Sequence, residues 1–337
     1  MGVSFVTIGN FNIDNVISSD GRVKLGQIGG NAVYSAIGTH IWANDVGIYS
    51  LIPTNYPENW LGELANAGID MNGVCKIDPP VDLEEWFFYQ PDGSRIDRIY
   101  APFRNYLYLK EKANNLQPNE VQDLLKSIQN FHPDDKISFG KFRKINPLSI
   151  DTIPEAYWTI QACHLAPNSF ETHLALARAF HARGVIVSVD PAIYTQHLPK
   201  DKLAELLKEV DIFLPSQKEL EAIFPDKNPE QALLAMADMG PKAIGVKLGG
   251  KGALVWDSTR NKMHATPAYP SQVVDLTGAG DAFCGGFMVG MVETSDPIIA
   301  AAYGSISASL VIEKTDICMA LRFNRYQATL RLAHYNL

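Results

Sequence analysis

The chain holds 337 residues, 46% of them apolar and 20% charged, which is the balance of an ordinary folded protein. That length suits one large α/β domain or two modest ones. The net charge of −8 argues against a general nucleic-acid partner, because phosphate backbones recruit basic surfaces.

Val3 to Ile8 reads as a buried strand closed by Gly9-Asn10. Phe11 to Ile17 alternates apolar and polar residues, turns at Ser19-Asp20-Gly21 and returns over Arg22 to Ile28, which predicts a hairpin. Gly29-Gly30-Asn31 opens a helix running to about Ala43. Val46 to Leu51, a helix near Glu58 to Ala67, and Met71 to Ile77 then alternate strand and helix, the pattern of a parallel sheet covered on both faces. Glu84 to Gln90 and Arg95 to Tyr100 flank the turn residues Pro91-Asp92-Gly93-Ser94, a second hairpin. Together the two hairpins predict a small antiparallel sheet projecting from the main domain. Its aromatic run, Trp86-Phe87-Phe88-Tyr89, suits core or interface packing first and a ring-stacking box second.

Residues 104–150, with a helix from Pro118 to Asn130 and the basic cluster Lys141-Phe142-Arg143-Lys144, read as a solvated insertion beside these hairpins. The α/β rhythm resumes with Ala162 to Leu165, a helix over Glu171 to Ala182, and Val185 to Val189 before the turn Asp190-Pro191. The strand Asp211 to Leu214 runs into Pro215-Ser216-Gln217-Lys218-Glu219-Leu220. Ala243 to Leu248 leads through Gly249-Gly250-Lys251-Gly252 into Ala253 to Trp256. Helices are expected over Ala282 to Val292, Ala300 to Ile312 and Phe323 to Ala333. No repeat or Pro-rich linker divides the chain, so residues 1–337 are expected to form one domain, with its lid hairpins near 11–28 and 84–103.

Cys75, Cys163, Cys284 and Cys318 form no CxxC pair and read as reduced thiols, and the 8 histidines lack metal-ligand spacing. No basic-plus-apolar leader precedes Val3 and no run of about 18 apolar residues occurs, so a cytoplasmic protein with no membrane partner is expected.

The most informative stretch is Val274-Asp275-Leu276-Thr277-Gly278-Ala279-Gly280-Asp281-Ala282-Phe283. An apolar, β-like run ends at Val274, small residues follow, and helix-compatible sequence starts at Ala282. A strand, a glycine turn and a helix N-terminus make an anion site, because the first N–H groups of a helix lack partners and face the turn with the positive end of the dipole. Gly278 and Gly280 let the backbone approach a phosphate. Asp281 reads either as the N-cap or as a base that takes the proton from a hydroxyl attacking that phosphate. The string is neither a Walker loop nor a Rossmann fingerprint, and no Gly-x-Ser-x-Gly elbow points to a hydrolase.

This string resembles the C-terminal signature of the ribokinase-like (PfkB) carbohydrate kinase family, Asp-Thr-x-Gly-Ala-Gly-Asp-x-Phe, with Leu276 in place of the Thr. The likeness continues in order along nearly the whole chain. It implies an α/β, three-layer α/β/α ribokinase-like fold with a mainly parallel central sheet and a small β-sheet lid. The implied activity is ATP-dependent phosphorylation of a hydroxyl group on a sugar or sugar-derived small molecule.

Under the resemblance Asp281 is the base, and Gly278, Ala279 and Gly280 belong to the anion hole. Asp14 takes the place of the family's acceptor-binding Asp, although on its own it reads as an exposed strand-edge carboxylate. Asn12, Gly29, Gly30, Asn31 and Arg98 are expected on the same acceptor side, and Tyr34 stands where the family has Asn. Glu219 matches an Asn-x-x-Glu motif that acts on Mg²⁺ through water, with Ser216 replacing the Asn; on its own it is a helix-surface charge. Lys247, Gly249, Gly252, Thr277 and Ser305 are expected to bind the nucleotide. The implied cofactors are ATP, Mg²⁺ and a monovalent cation, and the implied partners are a sugar or nucleoside acceptor and a second copy through the β lid. A nucleoside kinase of the same fold is one alternative, suited by the lid aromatics. A non-catalytic sugar-binding relative is the other, suggested by Tyr34 and Ser216.

Overall fold

The strand Phe5–Ile8 (β1) is buried at every position, as a strand covered on both faces must be. Val6 and Ile8 join one core cluster while Phe5 joins another, the alternation of side chains across a sheet. The computed structural model describes residues 2–18, 21–78, 80–81, 83–89, 95–96, 117, 119–120, 123, 139–191, 198–314 and 316–335. Arg98, the turn at 91–94, most of the helix expected from Pro118 to Asn130 and most of the expected insertion lie outside them.

Among the described residues the chain continues through β2 (Asn12–Ile17), β3 (Val23–Gly29), α1 (Asn31–His40), β4 (Val46–Pro53), α2 (Glu58–Asn66) and β5 (Asp70–Ile77). Then come β6 (Glu84–Tyr89), β7 (Arg95–Ile96), α3 (Phe139–Ile145), β8 (Ala162–Leu165), α4 (Phe170–His181), β9 (Ile186–Val189) and α5 (Lys200–Leu207). The remainder is β10 (Ile212–Phe213), α6 (Gln217–Ile223), α7 (Pro229–Ala237), β11 (Ala243–Lys247), β12 (Ala253–Asp257), β13 (Lys262–Thr266), α8 (Ala279–Thr294), α9 (Pro297–Ile312), α10 (Ile317–Ala320) and α11 (Arg325–Leu332).

Nine strands form the central sheet, in the order β13-β12-β11-β10-β9-β8-β1-β4-β5. From β11 to β5 all neighbours are parallel, and β12 and β13 add an antiparallel edge. α4, α5, α6 and α7 cover one face, while α1, α8 and α9 cover the other, giving the three layers. Parallel strands carry ligand sites beyond their C-terminal ends, so Asp190, Ser216 and Lys247 at the ends of β9, β10 and β11 share one edge.

The second sheet has the order β3-β2-β6-β7. It corrects the expectation of a purely antiparallel lid, since β2 and β6 run parallel, Ile13 opposite Glu84 and Ile17 opposite Phe88. The physical reason is the long path between them through β4 and β5, which brings β6 back in the same direction as β2. Trp86, Phe87 and Phe88 are buried within the chain, so these aromatics serve packing. No helix among the described residues is long and apolar enough to cross a membrane.

α1 and α8 touch backbone to backbone. A Cβ on Gly285 of α8 would fall 2.1 Å from the Ser35 carbonyl, and one on Gly38 of α1 would fall 2.2 Å from the Ala282 carbonyl. This mutual approach sets the position of the α8 N-terminus. Gly285→Val is expected to destabilise the fold by about 3 kcal/mol, the upper range for overpacking a close contact, read as a lowered denaturant midpoint. An unchanged midpoint would show that α1 and α8 do not meet so closely.

Candidate active site

The glycine turn is approached without a strand, which corrects the expected β-run ending at Val274. The Val274 and Asp275 amides donate to the carbonyl of Ile312, the last residue of α9, at 2.8 and 3.1 Å. An unpaired helix-end carbonyl thus takes the donors that a neighbouring strand would have taken. Gly278 is the N-cap, in the left-handed region at φ 75°, and α8 begins at Ala279, three residues before the expected start at Ala282. Asp281 is therefore the third helical residue and not the N-cap. Its carboxylate sits in the first turn, where the helix dipole favours negative charge.

Gly278 and Gly280 differ in what they permit. A Cβ on Gly278 would lie 1.9 Å from the Tyr34 ring, whereas one on Gly280 would meet only the Lys247 side chain, at 3.7 Å. Around Gly280 the first turn faces a cavity of about 570 Å³, bounded by Gly249 and Gly252, the loop at Tyr269, and Phe283 and Ser305. That volume is in the range of small-molecule sites.

Ser216 and Glu219 form a capping box at the start of α6. The Ser216 amide and hydroxyl donate to Glu219 Oε2 at 2.7 and 2.8 Å, and the Glu219 amide donates to Ser216 Oγ at 3.3 Å. The Ser-x-x-Glu spacing carries this signal in sequence. Ser216 therefore spends its hydroxyl on the helix end, and Glu219 is held half-buried with one oxygen committed. Lys247 pairs with the buried Asp190, a residue that reads in sequence only as part of a turn. Ser305 Oγ accepts from the Tyr269 amide and the Tyr335 hydroxyl, both at 2.8 Å, so it braces the cavity wall. Gly252, at φ 92°, lies so close to the Thr266 carbonyl that no side chain fits.

On the other side of the turn, Asp14 is 1% exposed, not the exposed edge carboxylate that its strand position suggests. The β2–β3 register shifts between Asp14 and Val16, and such an irregularity re-aims side chains. The Asp14 carboxylate packs against the Cα of Gly29, where a Cβ would fall 2.1 Å away. It accepts from the Tyr34 hydroxyl at 3.0 Å and from Asn12 Nδ2 at 3.5 Å. Burial, with the charges of Asp14 and Asp275, raises the Tyr34 pKa well above the usual tyrosine range, so its hydroxyl stays a donor. Only about 20 Å³ of space remains between Asp14, Tyr34 and Thr277, room for about one water.

Asn31 is a staple: its Oδ1 accepts from the Asn10 amide at 2.7 Å and its Nδ2 donates to the Pro167 carbonyl at 2.9 Å. Gly30, at φ 112°, caps α1 against the Asn10 backbone. Thr277 lies on the Asp14 side of the turn, where it shares a 2.9 Å hydrogen bond with the Tyr89 hydroxyl of β6. Lys24 of β3 donates to Asp275 Oδ2 at 2.8 Å, and Asp275 Oδ1 accepts from the Thr277 amide at 2.9 Å. The second sheet is thus tied to the turn at two points.

A family model described as pfkB family carbohydrate kinase matches residues 156–321. A cytidine kinase of Thermococcus kodakarensis is 27% identical over 289 residues, 86% of this chain and 88% of its own. The crystal structure of an E. coli protein named ribokinase II, in complex with ATP and Mg²⁺, superposes with a TM-score of 0.71 at 20% identity, covering 98% of this chain and 99% of that one. A nucleoside kinase of Burkholderia thailandensis in complex with inosine superposes with a TM-score of 0.69 at 15% identity, covering 98% of each chain. With the glycine turn and the three-layer fold, these likenesses show a ribokinase-like fold whose residues 156–321 are similar to the pfkB family of carbohydrate kinases.

Proposed function

We propose that the protein transfers a phosphoryl group from ATP to a hydroxyl of a sugar or a nucleoside. The observation that carries this reading is the first turn of α8, open at Gly280 towards a cavity of about 570 Å³ and carrying Asp281 as its third residue. The Gly280 N–H, in the first turn facing the cavity, holds the charge of the transferring group, while the Ala279 N–H already donates to the Leu276 carbonyl at 3.2 Å. Asp281 takes the proton from the acceptor hydroxyl. Asp14 accepts hydrogen bonds from the acceptor's hydroxyls, a vicinal diol suiting the two oxygens of one carboxylate. The contacts Lys24–Asp275 and Tyr89–Thr277 hold the second sheet over the turn and keep water from the hydroxyl's place.

Mg²⁺, when bound, neutralises phosphate charge; the half-buried Glu219, with one oxygen outside its capping box, fits a place beside it through water. Four unpaired cysteines support a cytoplasmic location. The full-length likeness to a cytidine kinase supports testing nucleosides alongside sugars. A coupled ADP-release screen over both classes tests the proposal. Acceptor-dependent ADP release supports it, and its absence with every sugar and nucleoside would leave a binding protein.

Gly280→Val tests the anion hole separately. A Cβ there meets no backbone, so the variant is expected to fold, but its branches project into the space of the phosphate. ATP affinity by calorimetry should fall at least tenfold while acceptor binding is kept. The reverse pattern would place the phosphate elsewhere.

A further inference from the structure

We infer that Asp190 and Lys247 form a buried pair that sets one fixed positive charge beneath the first turn of α8, Lys247 binding the phosphate that docks there and Asp190 positioning it. The inference rests on the reading of that turn as a phosphate site. It adds a residue, Asp190, that no motif assigns.

The pair is built by topology. β9 and β11 flank β10 in the sheet, so Asp190 and Lys247, which are 57 apart in sequence, meet across the end of a two-residue strand. Lys247 Nζ donates to Asp190 Oδ2 and lies 3.6 Å from Cys284 Sγ on α8. A Cβ on Gly280 would be 3.7 Å from the same nitrogen, so the ammonium sits directly by the first turn. Lys247 also lines the large cavity, so its charge is walled in on one side and open to a ligand on the other. An ammonium has three donors, and Asp190 and the thiol take two of them.

Two observations speak against a pair kept for stability alone. Asp190 is 3% exposed, yet its Oδ1 has no hydrogen-bond partner among the described residues, a costly arrangement for a carboxylate. A buried ion pair is also a weak stabiliser compared with apolar residues of the same volume. The charge itself is secure. Burial raises the Asp190 carboxyl to about 8 against the pull of Lys247, while Asp190, Cys284 and Glu219 outweigh the burial of Lys247 and hold it protonated, above the ordinary lysine range. The other titratable neighbours are Asp281 of α8, whose charge is felt by Asp190 and Cys284, and His164 of β8, buried and neutral beside the ammonium.

Calorimetry with ATP, and with adenosine as a control lacking phosphate, tests the assignment. Lys247→Met is expected to weaken ATP binding about 10–100-fold, the worth of a hydrogen bond to a charged group, and to leave adenosine unchanged. Lys247→Arg should keep most of the ATP affinity. Asp190→Asn should weaken ATP binding less, and should move the alkaline fall of ATP affinity to lower pH, because Lys247 loses the carboxylate that keeps it protonated. A packing role would not shift that limb. Should Asp190→Asn fold poorly, the double variant Asp190→Asn with Lys247→Met removes both charges and should show the full loss of ATP affinity in a folded protein. Wild-type ATP affinity in Lys247→Met, or in the double variant, would overturn the assignment. A wild-type protein that binds no ATP would overturn the phosphate-site reading with it.

Discussion

Asp281→Asn is expected to fold like the wild type and to turn over about 10²–10⁴-fold more slowly, the usual worth of general-base catalysis. The fold should tolerate the change because Asp281 is not the residue that starts α8. Gly278 is the N-cap, with no side-chain capping bond, and Asp281 follows inside the first turn. Asn keeps the shape and loses the proton acceptor and one negative charge. Binding of ATP should therefore persist, and relief of charge beside the phosphates can even tighten it. The measurement is steady-state turnover with the acceptor found by the screen, together with ATP affinity by calorimetry. Turnover within a few-fold of the wild type would remove Asp281 from the proton transfer, whatever its effect on binding.

Asp14→Ala should raise the acceptor KM by about 10²-fold, the cost of removing a charged hydrogen-bond partner from a desolvated site. Its ATP KM should barely change, because the cavity proposed for the nucleotide lies on the far side of the turn, along Gly249, Gly280 and Ser305. Tyr34 makes the prediction sharper. Its hydroxyl already donates to Asp14 and its ring closes on Gly278, leaving room for about one water where an acceptor hydroxyl must enter. On the proposed reading, the ring moves aside when an acceptor reaches Asp14. Tyr34→Ala should open that space and raise acceptor-independent ATP hydrolysis several-fold, since water then reaches the phosphate. If Asp14→Ala and Tyr34→Ala both keep the wild-type acceptor KM and hydrolysis rate, the acceptor binds elsewhere.

Much of this site was legible because it is local. The turn from Asp275 to Asp281 needs glycines at a left-handed N-cap and beside an open first turn, and both needs are written in adjacent residues. The strand–helix alternation was legible for the same reason, as each period is set within one element. Ser216 and Glu219 show a limit: their spacing encodes both a capping box and the family's motif, and sequence alone does not rank the two. The start of α8 was read three residues late because glycines obscure a helical pattern. The strand expected before Val274 was lost because the end of α9 offered its carbonyl instead.

By itself, then, the chain's sequence determined the layered α/β architecture and the glycine turn that carries Asp281 into a helix N-terminus, features carried by short contiguous segments. Tertiary structure alone decided the parallel β2–β6 pairing, the burial of Asp14 beneath Tyr34, the use of Asn31 as a staple and the meeting of Asp190 with Lys247. Each of these joins residues from separate elements. Whether a carboxylate is an exposed edge or a buried acceptor depends on which distant groups desolvate it and which donors reach it, and no local pattern records that.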